Sequence, residues 1–434
     1  MFRLIRFFLL ALLYSFKGDY RFFYYLRYKN NYHMGKSEIL RYQNERIKKQ
    51  LRYCYNNIPY YKSIFKSLGL GAGDLNGIES LKKMPFLRKA ELRNNLEVIL
   101  NRKLQLIKCH TGGSTGNPVT LYKDRRFNSI SRGVQMRNHA LFAGWLPAEK
   151  SAWIWGAVHE LDPQNEKLFE KLKWKLNNNI VLNAYAYSED SFKDWVKIIK
   201  SQKPSVIYGY ASAITSFARY LDNQGINIKG YIKKVIVTAE SLENRELIER
   251  VFGAKVFDQY GCREVLPIAE ECKYGTMHIA EDFVYVEVES DGRVLLTPFE
   301  SYGEPLIRYE VGDKIEVLED FQCKCGSSFK GMRIKISRQP VNLKNKEGSV
   351  ISGCCTMLDL VSLGAGINEC QIIQESVDLI RLNIVRTSLW KDEHKNMIYD
   401  YLKKAFFGTA ISINFVDKIM PEPSGKKIFV KNLC

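Results

Sequence analysis

The 434-residue sequence predicts an α/β fold ending in a small α+β domain. Three observations carry this reading. Short apolar runs at 151–158, 205–208, 235–238 and 256–258 alternate with helical segments at 190–200, 211–223 and 243–252. That alternation predicts a largely parallel sheet flanked by helices. From Phe283 onward strands crowd together, at 283–289, 293–298 and 313–318, with Asp291-Gly292 as a hairpin turn. The stretch from about Gln339 reads as a separate α+β unit. At ~150 residues per domain the length allows two to three domains.

Taken in order, the chain begins with an apolar helix. Its core, 7–16, is bounded by Arg3, Arg6 and Lys17, and a basic, tyrosine-rich segment follows to about His33. The apolar part falls well short of the ~20 residues a spanning helix needs, and Tyr14-Ser15-Phe16-Lys17 is a poor secretory cleavage site. Two readings stay open for residues 1–35. The helix docks on the protein core, or it lies in the interface of a cytoplasmic membrane face with its basic residues toward anionic headgroups. Residues 37–99 carry a helical pattern.

Composition sets further bounds. With 46% hydrophobic and 12% aromatic residues the chain is not disordered, and ten cysteines spread over 434 residues do not make a disulfide scaffold. The 65 Lys and Arg against 47 Asp and Glu leave +18, which suits an anionic partner. No nucleic-acid fold signature accompanies the charge, so nucleic acid is not the expected partner.

The most informative segment is HTGGSTGNP at 110–118. Thr111, Gly112, Gly113, Ser114, Thr115 and Gly116 supply three glycines and three hydroxyls in six positions. Such a backbone can approach phosphate oxygens closely and donate amides and hydroxyls to them. No Gly-Lys-Ser/Thr follows, so this is not a Walker loop.

This segment resembles the pyrophosphate loop of the adenylate-forming enzyme superfamily. Further motifs follow in family order: Gln259-Tyr260-Gly261-Cys262-Arg263-Glu264, then Arg308-Tyr309-Glu310-Val311-Gly312-Asp313, then Ser424-Gly425-Lys426-Lys427. With Thr238-Ala239-Glu240-Ser241-Leu242 the wording is most similar to the phenylacetate–CoA ligase branch, and within it to the capsular polysaccharide biosynthesis (CapK-type) members.

The resemblance implies an adenylate-forming domain at 36–337, after the 1–35 extension, and a mobile lid domain at 338–434. It implies ATP as co-substrate, held by 111–116, Glu240, Tyr260, Gly261, Asp313 and Arg338. Glu264 would ligate Mg²⁺ and act in catalysis together with Lys426. The activity implied is carboxylate activation for surface polysaccharide synthesis, or, as the alternative, aryl- or acyl–CoA synthesis; CoA or a sugar-linked acceptor stays open, as does the acid.

Two departures are visible. Val119 stands where many relatives carry lysine, and Ser337-Arg338-Gln339-Pro340-Val341 replaces a Gly-Arg-x-Asp-Asp hinge. Proline fixes φ there, which changes how a lid would rotate.

Cys272, His278, Cys323 and Cys325 supply three thiolates and an imidazole, a set that predicts closed, structural Zn²⁺. Trp153, Trp155, His159, Tyr185, Tyr208 and Tyr210 are aromatic candidates for an acyl pocket or for plain core. A cytoplasmic location follows from the readings of Zn²⁺, ATP and the N-terminus together.

Overall fold

The structure is a computed structural model. It describes every residue except Met1, 111–119, 157–175, 185, 243, 320, 337–340, 354–355, 358, 361–365, 388–389 and 421–427. The α/β class is as expected, and the chain divides into two compact units.

The first unit comprises Met1–Cys109, Thr120–Glu149 and Phe257–Ser337. Its early part is helical, as the spacing predicts. The helix Lys36–Asn57 buries Ile39, Gln43, Ile47, Leu51 and Cys54, one face of a 3.6-residue repeat. The helix Pro59–Ser67 starts on a proline, which needs no N–H at that position. Together they close a core with Leu81, Met84, Phe299 and Ile307. Each such side chain contributes about 1.5–3 kcal/mol of transfer free energy.

The β-rich part is an antiparallel sheet. Its order is Val284–Val288, Arg293–Pro298, Tyr309–Leu318, Gly331–Ile336, Met277–Ile279, Ala269–Glu271 and then the end of Lys255–Tyr260. The Asp291-Gly292 turn is where the sequence puts it, with Gly292 at φ +85°. The third of these strands begins earlier than expected, at Tyr309 rather than Asp313, because Tyr309–Asp313 of the motif is itself strand.

The helix Arg21–Tyr28 lies against the helix Arg125–Asn138, and Gly133 makes this possible. A Cβ on Gly133 would stand 2.7 Å from Tyr24 Cβ and 2.8 Å from Arg21 O, so only glycine lets the two backbones approach. Arg137, buried, donates to both carboxylate oxygens of Asp282 at 2.8 and 3.0 Å and to Tyr28 O at 3.1 Å. Asn31 Nδ2 donates to the same carboxylate at 3.0 Å. The second half of the 1–35 extension is therefore docked on its unit.

The second unit comprises His110–Val119, Lys150–Val256 and Arg338–Cys434. Four parallel strands lie in the order Asn179–Asn183, Ser151–Trp155, Val206–Tyr210, Lys234–Thr238. The helices Glu189–Gln202, Ala211–Asn223 and Arg245–Phe252 pack into the same core. Ser188 and Ser191 exchange cap bonds at the start of the first, and Gly253 in the left-handed region ends the last.

Beyond 338, the strands Ala410–Phe415, Leu379–Arg386, Ile367–Ser376 and Val430–Asn432 form a second sheet, with the helix Asp392–Ala405 contributing Ile398 and Leu402 to its core. The strands Asn342–Lys344 and Val350–Ser352 continue to Ala186–Tyr187. In this unit residues 150–256 group with 338–434.

Candidate active site and Cys/His cluster

The hairpin joining Lys255–Tyr260 to Ala269–Glu271 carries the first half of the site. Ile268 N bonds back to Tyr260 O at 3.0 Å, so residues 261–267 become a loop. Within it Cys262 N donates to Val265 O at 2.9 Å. This turn places Glu264, 5% exposed, where Tyr309 Oη donates to its Oε1 at 2.6 Å. Lys89 Nζ stands 3.8 Å from the same oxygen.

The strand Tyr309–Leu318 carries the second half. Its register against Arg293–Pro298 slips between Arg293 and Leu295, opposite Glu310–Lys314. Gly312 sits in this irregularity at φ +94°, a conformation that costs a side-chain-bearing residue strain. The slip re-aims Asp313, which accepts a bond from Tyr260 Oη at 3.0 Å. The two motifs thus interlock through two tyrosine–carboxylate bonds. Tyr260 of the first reaches Asp313 of the second, and Tyr309 of the second reaches Glu264 of the first.

Arg308 anchors the strand rather than the site. Its guanidinium donates to Lys82 O and Met84 O at 3.1 and 2.8 Å and pairs with Glu287 at 3.1 Å. Its backbone is in the left-handed region at φ +50°. Leu87 clasps the next residue, with bonds Leu87 N to Arg308 O and Glu310 N to Leu87 O, both 3.0 Å.

Two further groups were not singled out from the sequence. Glu304 is buried. Its Oε2 accepts from Tyr122 N, and its Oε1 has no hydrogen-bond partner among the described residues. Burial pushes its carboxyl up to about 8; the Tyr122 N–H opposes the rise, the Glu264 charge adds to it, and Lys123 opposes it. Lys123 lies on Thr120–Asp124, next in sequence after 111–119, and is shifted down, first by desolvation, with Arg132 and Arg263 adding and Cys109 opposing. A lysine among arginines at the end of a glycine-rich segment was the available signal.

Asp124 fixes the base of this strand. It accepts Tyr302 N and Gly303 N at 3.0 and 2.9 Å and caps the following helix through Phe127 N at 2.8 Å.

Glu304 gives a signed prediction. The unfolded chain loses this proton near the ordinary glutamate value, ~4.3. The folded chain holds it to about 8. Stability therefore falls as pH rises across that window, by an amount on the order of a few kcal/mol. Glu304→Gln keeps an acceptor for Tyr122 N and cannot ionise. Its melting temperature should exceed that of the wild type at pH about 8 and converge on it as pH falls toward about 4; parallel curves across that range would contradict the assignment.

In the second unit, Glu240 is half-buried and accepts Ser212 N at 2.9 Å. Burial raises its carboxyl, and the Ser212 bonds oppose the rise. Ala239, just before it, holds φ +70°, strained for alanine. Trp155 stacks on Tyr210 at 4.5 Å and on Tyr208 at 5.9 Å, and Trp153 meets Tyr208 edge-on at 5.0 Å. Thr111, Gly112, Gly113, Ser114, Thr115, Gly116, His159, Tyr185, Arg338 and Lys426 lie outside the described residues.

Cys272, His278, Cys323 and Cys325 come together. Their ligand atoms all lie within 4.8 Å of one another. His278 Nδ1 is bonded to Phe329 O at 2.8 Å, which assigns the proton to Nδ1 and turns Nε2 toward Cys325 Sγ at 3.2 Å. Backbone N–H groups of Tyr274 and Ser327 point at Cys272 Sγ and Cys325 Sγ, each at 3.4 Å. The tight Cys-x-Cys spacing is accommodated by Gly326 at φ +82°. Three sulfurs, one imidazole and amides aimed at sulfur are the donor set of a tetrahedral thiolate site.

A solved structure of 2-hydroxyisobutyryl-CoA ligase with 2-HIB-AMP and CoA matches with a TM-score of 0.60 at 16% identity, over 92% of this chain and 91% of that one. The chain has the fold of the adenylate-forming ligases.

Among sequence relatives, Protein CapK of Staphylococcus aureus is 26% identical over 418 residues, 91% of this chain and 90% of that protein. Phenylacetate-coenzyme A ligase of Escherichia coli (strain K12) is 25% identical over 320 residues, 65% of this chain and 68% of that one. Residues 343–433 match the family described as the CapK C-terminal domain. The chain is thus similar along most of its length to Protein CapK and over about two thirds to phenylacetate–CoA ligases, and its C-terminal part matches the CapK C-terminal domain.

Proposed function

We infer that the chain is an ATP-dependent, AMP-forming ligase that activates a carboxylate for capsule or other surface polysaccharide synthesis. The observation that carries this is the interlock of Tyr260 with Asp313 and of Tyr309 with Glu264. It gives both motif carboxylates a fixed position in one unit, with Lys89 3.8 Å from Glu264 and a separate cluster of cations in which Arg132 and Arg263 act on Lys123.

The chemistry asks for that arrangement. A carboxylate oxygen attacks the α-phosphorus of ATP, the bond to the bridging oxygen breaks, and pyrophosphate leaves. Both reactants are anions, so the protein contributes positioning and charge compensation. Asp313 retains lone pairs for the two ribose hydroxyls after accepting from Tyr260. Glu264 is a hard ligand suited to Mg²⁺, which when bound would offset phosphate charge. Residues 111–116 would hold the phosphates, Glu240 and Arg338 would line the nucleotide site, and Lys426 would bridge ribose and α-phosphate on a mobile 338–434 lid. The Cys272, His278, Cys323 and Cys325 set fits structural zinc and holds no open position for chemistry.

The second reading, an acyl–CoA synthetase, is supported by the phenylacetate-coenzyme A ligases among the relatives. Asp313→Ala tests the nucleotide assignment shared by both readings. Two hydrogen bonds to a charged acceptor are lost, each ~1.5–3 kcal/mol, so KM for ATP should rise at least about tenfold while KM for the carboxylate moves little. An unchanged KM for ATP would remove Asp313 from the site.

A further inference from the structure

The helix Phe2–Phe16 uses only one of its faces within the protein. Phe7 packs edge-on against Phe22 at 5.0 Å and reaches Tyr25 at 6.0 Å, Tyr14 meets Phe22 at 5.8 Å, and Leu10 is fully buried. The opposite face carries Ile5, Phe8, Leu9, Leu12 and Phe16 at three- and four-residue spacing, which aligns them in a single stripe. They are exposed, Phe8 at 64%, Leu12 at 59% and Phe16 at 85%. On the next helix Phe23 and Leu26 are exposed at 57% and 55%. A soluble surface normally breaks up apolar residues at this density.

Charge decides what covers the stripe. Arg3, Lys17, Arg27 and Lys29 are exposed on these two helices and at their ends. The sole acid in residues 1–35, Asp19, is held by Arg21 at 2.5 Å. A second copy would bring the same basic rim against itself, within a chain of net charge +18, whereas anionic headgroups complement it at ~1 kcal/mol per Lys or Arg near the surface. Fifteen helical residues reach ~22 Å, short of ~30 Å of hydrocarbon. No described helix is long and apolar enough to cross a membrane.

We propose that the face formed by Ile5, Phe8, Leu9, Leu12 and Phe16 seats the protein in the plane of an anionic lipid surface, with Phe7, Leu10 and Tyr14 fastening the helix to the body. The helix lies along the interface, its apolar stripe among the upper acyl carbons and its basic residues at the phosphates. This proposal does not depend on the ligase reading.

Vesicle flotation of the full chain tests it. Recovery with vesicles containing phosphatidylglycerol should exceed recovery with phosphatidylcholine alone by about tenfold and fall with added salt. Phe8→Glu with Leu12→Glu should abolish it. Lys17→Glu with Arg27→Glu, two exposed sites that leave the packed face untouched, should reduce it about tenfold and keeps the test valid if the first variant folds poorly. Absence of flotation, or equal recovery for the charge-reversed variant, overturns the proposal. So does a self-associated form in sedimentation that Phe8→Glu with Leu12→Glu dissociates while vesicle binding is absent, which would make the face an interface between copies.

Discussion

Lys426→Ala should lower acyl-adenylate formation about 10²–10³-fold, the loss expected when one donor to developing transition-state charge is removed. The argument is chemical. As the carboxylate closes on the α-phosphorus, negative charge builds on the non-bridging oxygens, and a compact ammonium on a flexible stem can follow it. Asp313 and Glu264 are acceptors and cannot supply that charge. KM for ATP should move little, because the interaction is made mainly in the transition state. The measurement is single-turnover pyrophosphate release with saturating carboxylate. Near-normal release would show that Lys427, or no tail lysine, has the role.

Removing zinc should have the second large effect, on stability rather than chemistry. Purified protein should carry about one zinc per chain, and Cys325→Ser should lose it. Structural zinc is worth ~10 kcal/mol or more in small domains. Here the sheet around Met277–Ile279 and Gly331–Ile336 gives independent support, so the expected result is a melting temperature lowered by ten degrees or more rather than complete unfolding. Strong chelator should reproduce the shift in the wild type and leave Cys325→Ser unchanged. Zinc content near background, with an unchanged melting point in Cys325→Ser, would make the cluster an ordinary set of reduced thiols.

Much of the fold is legible in the residues. The helix Ala211–Asn223 falls where the periodicity puts it, and the strands Lys234–Thr238 and Arg293–Pro298 follow the apolar runs. The Cys272, His278, Cys323 and Cys325 cluster is legible too, because three cysteines and a histidine at those spacings suggest a shared site. What periodicity cannot carry is direction. Tyr309 looks like a core strand residue, and nothing in Arg-Tyr-x-x-Gly-Asp says that its hydroxyl reaches Glu264, 45 positions earlier. Asp313 points at Tyr260 because the register slips beside Gly312, a feature of strand pairing.

Glu304 carries no distinguishing local signal, yet it is buried with its carboxylate accepting from Tyr122 N, a contact 182 positions away in the chain. The N-terminal segment is packed unevenly, which its composition does not reveal. Arg21–Tyr28 is docked on the body through Gly133, while Phe2–Phe16 leaves an apolar face exposed. Grouping of 150–256 with 338–434 has no counterpart in local sequence, because it arises from contacts distant along the chain.

The central claim, carboxylate activation, is tested most directly by ATP–pyrophosphate exchange across a panel of carboxylates, with and without CoA. The account predicts exchange that requires a carboxylate, proceeds without CoA, and collapses in Asp313→Ala and Lys426→Ala. Exchange with no carboxylate added, or no exchange with any member of a broad panel by protein that binds ATP and holds its zinc, would contradict it.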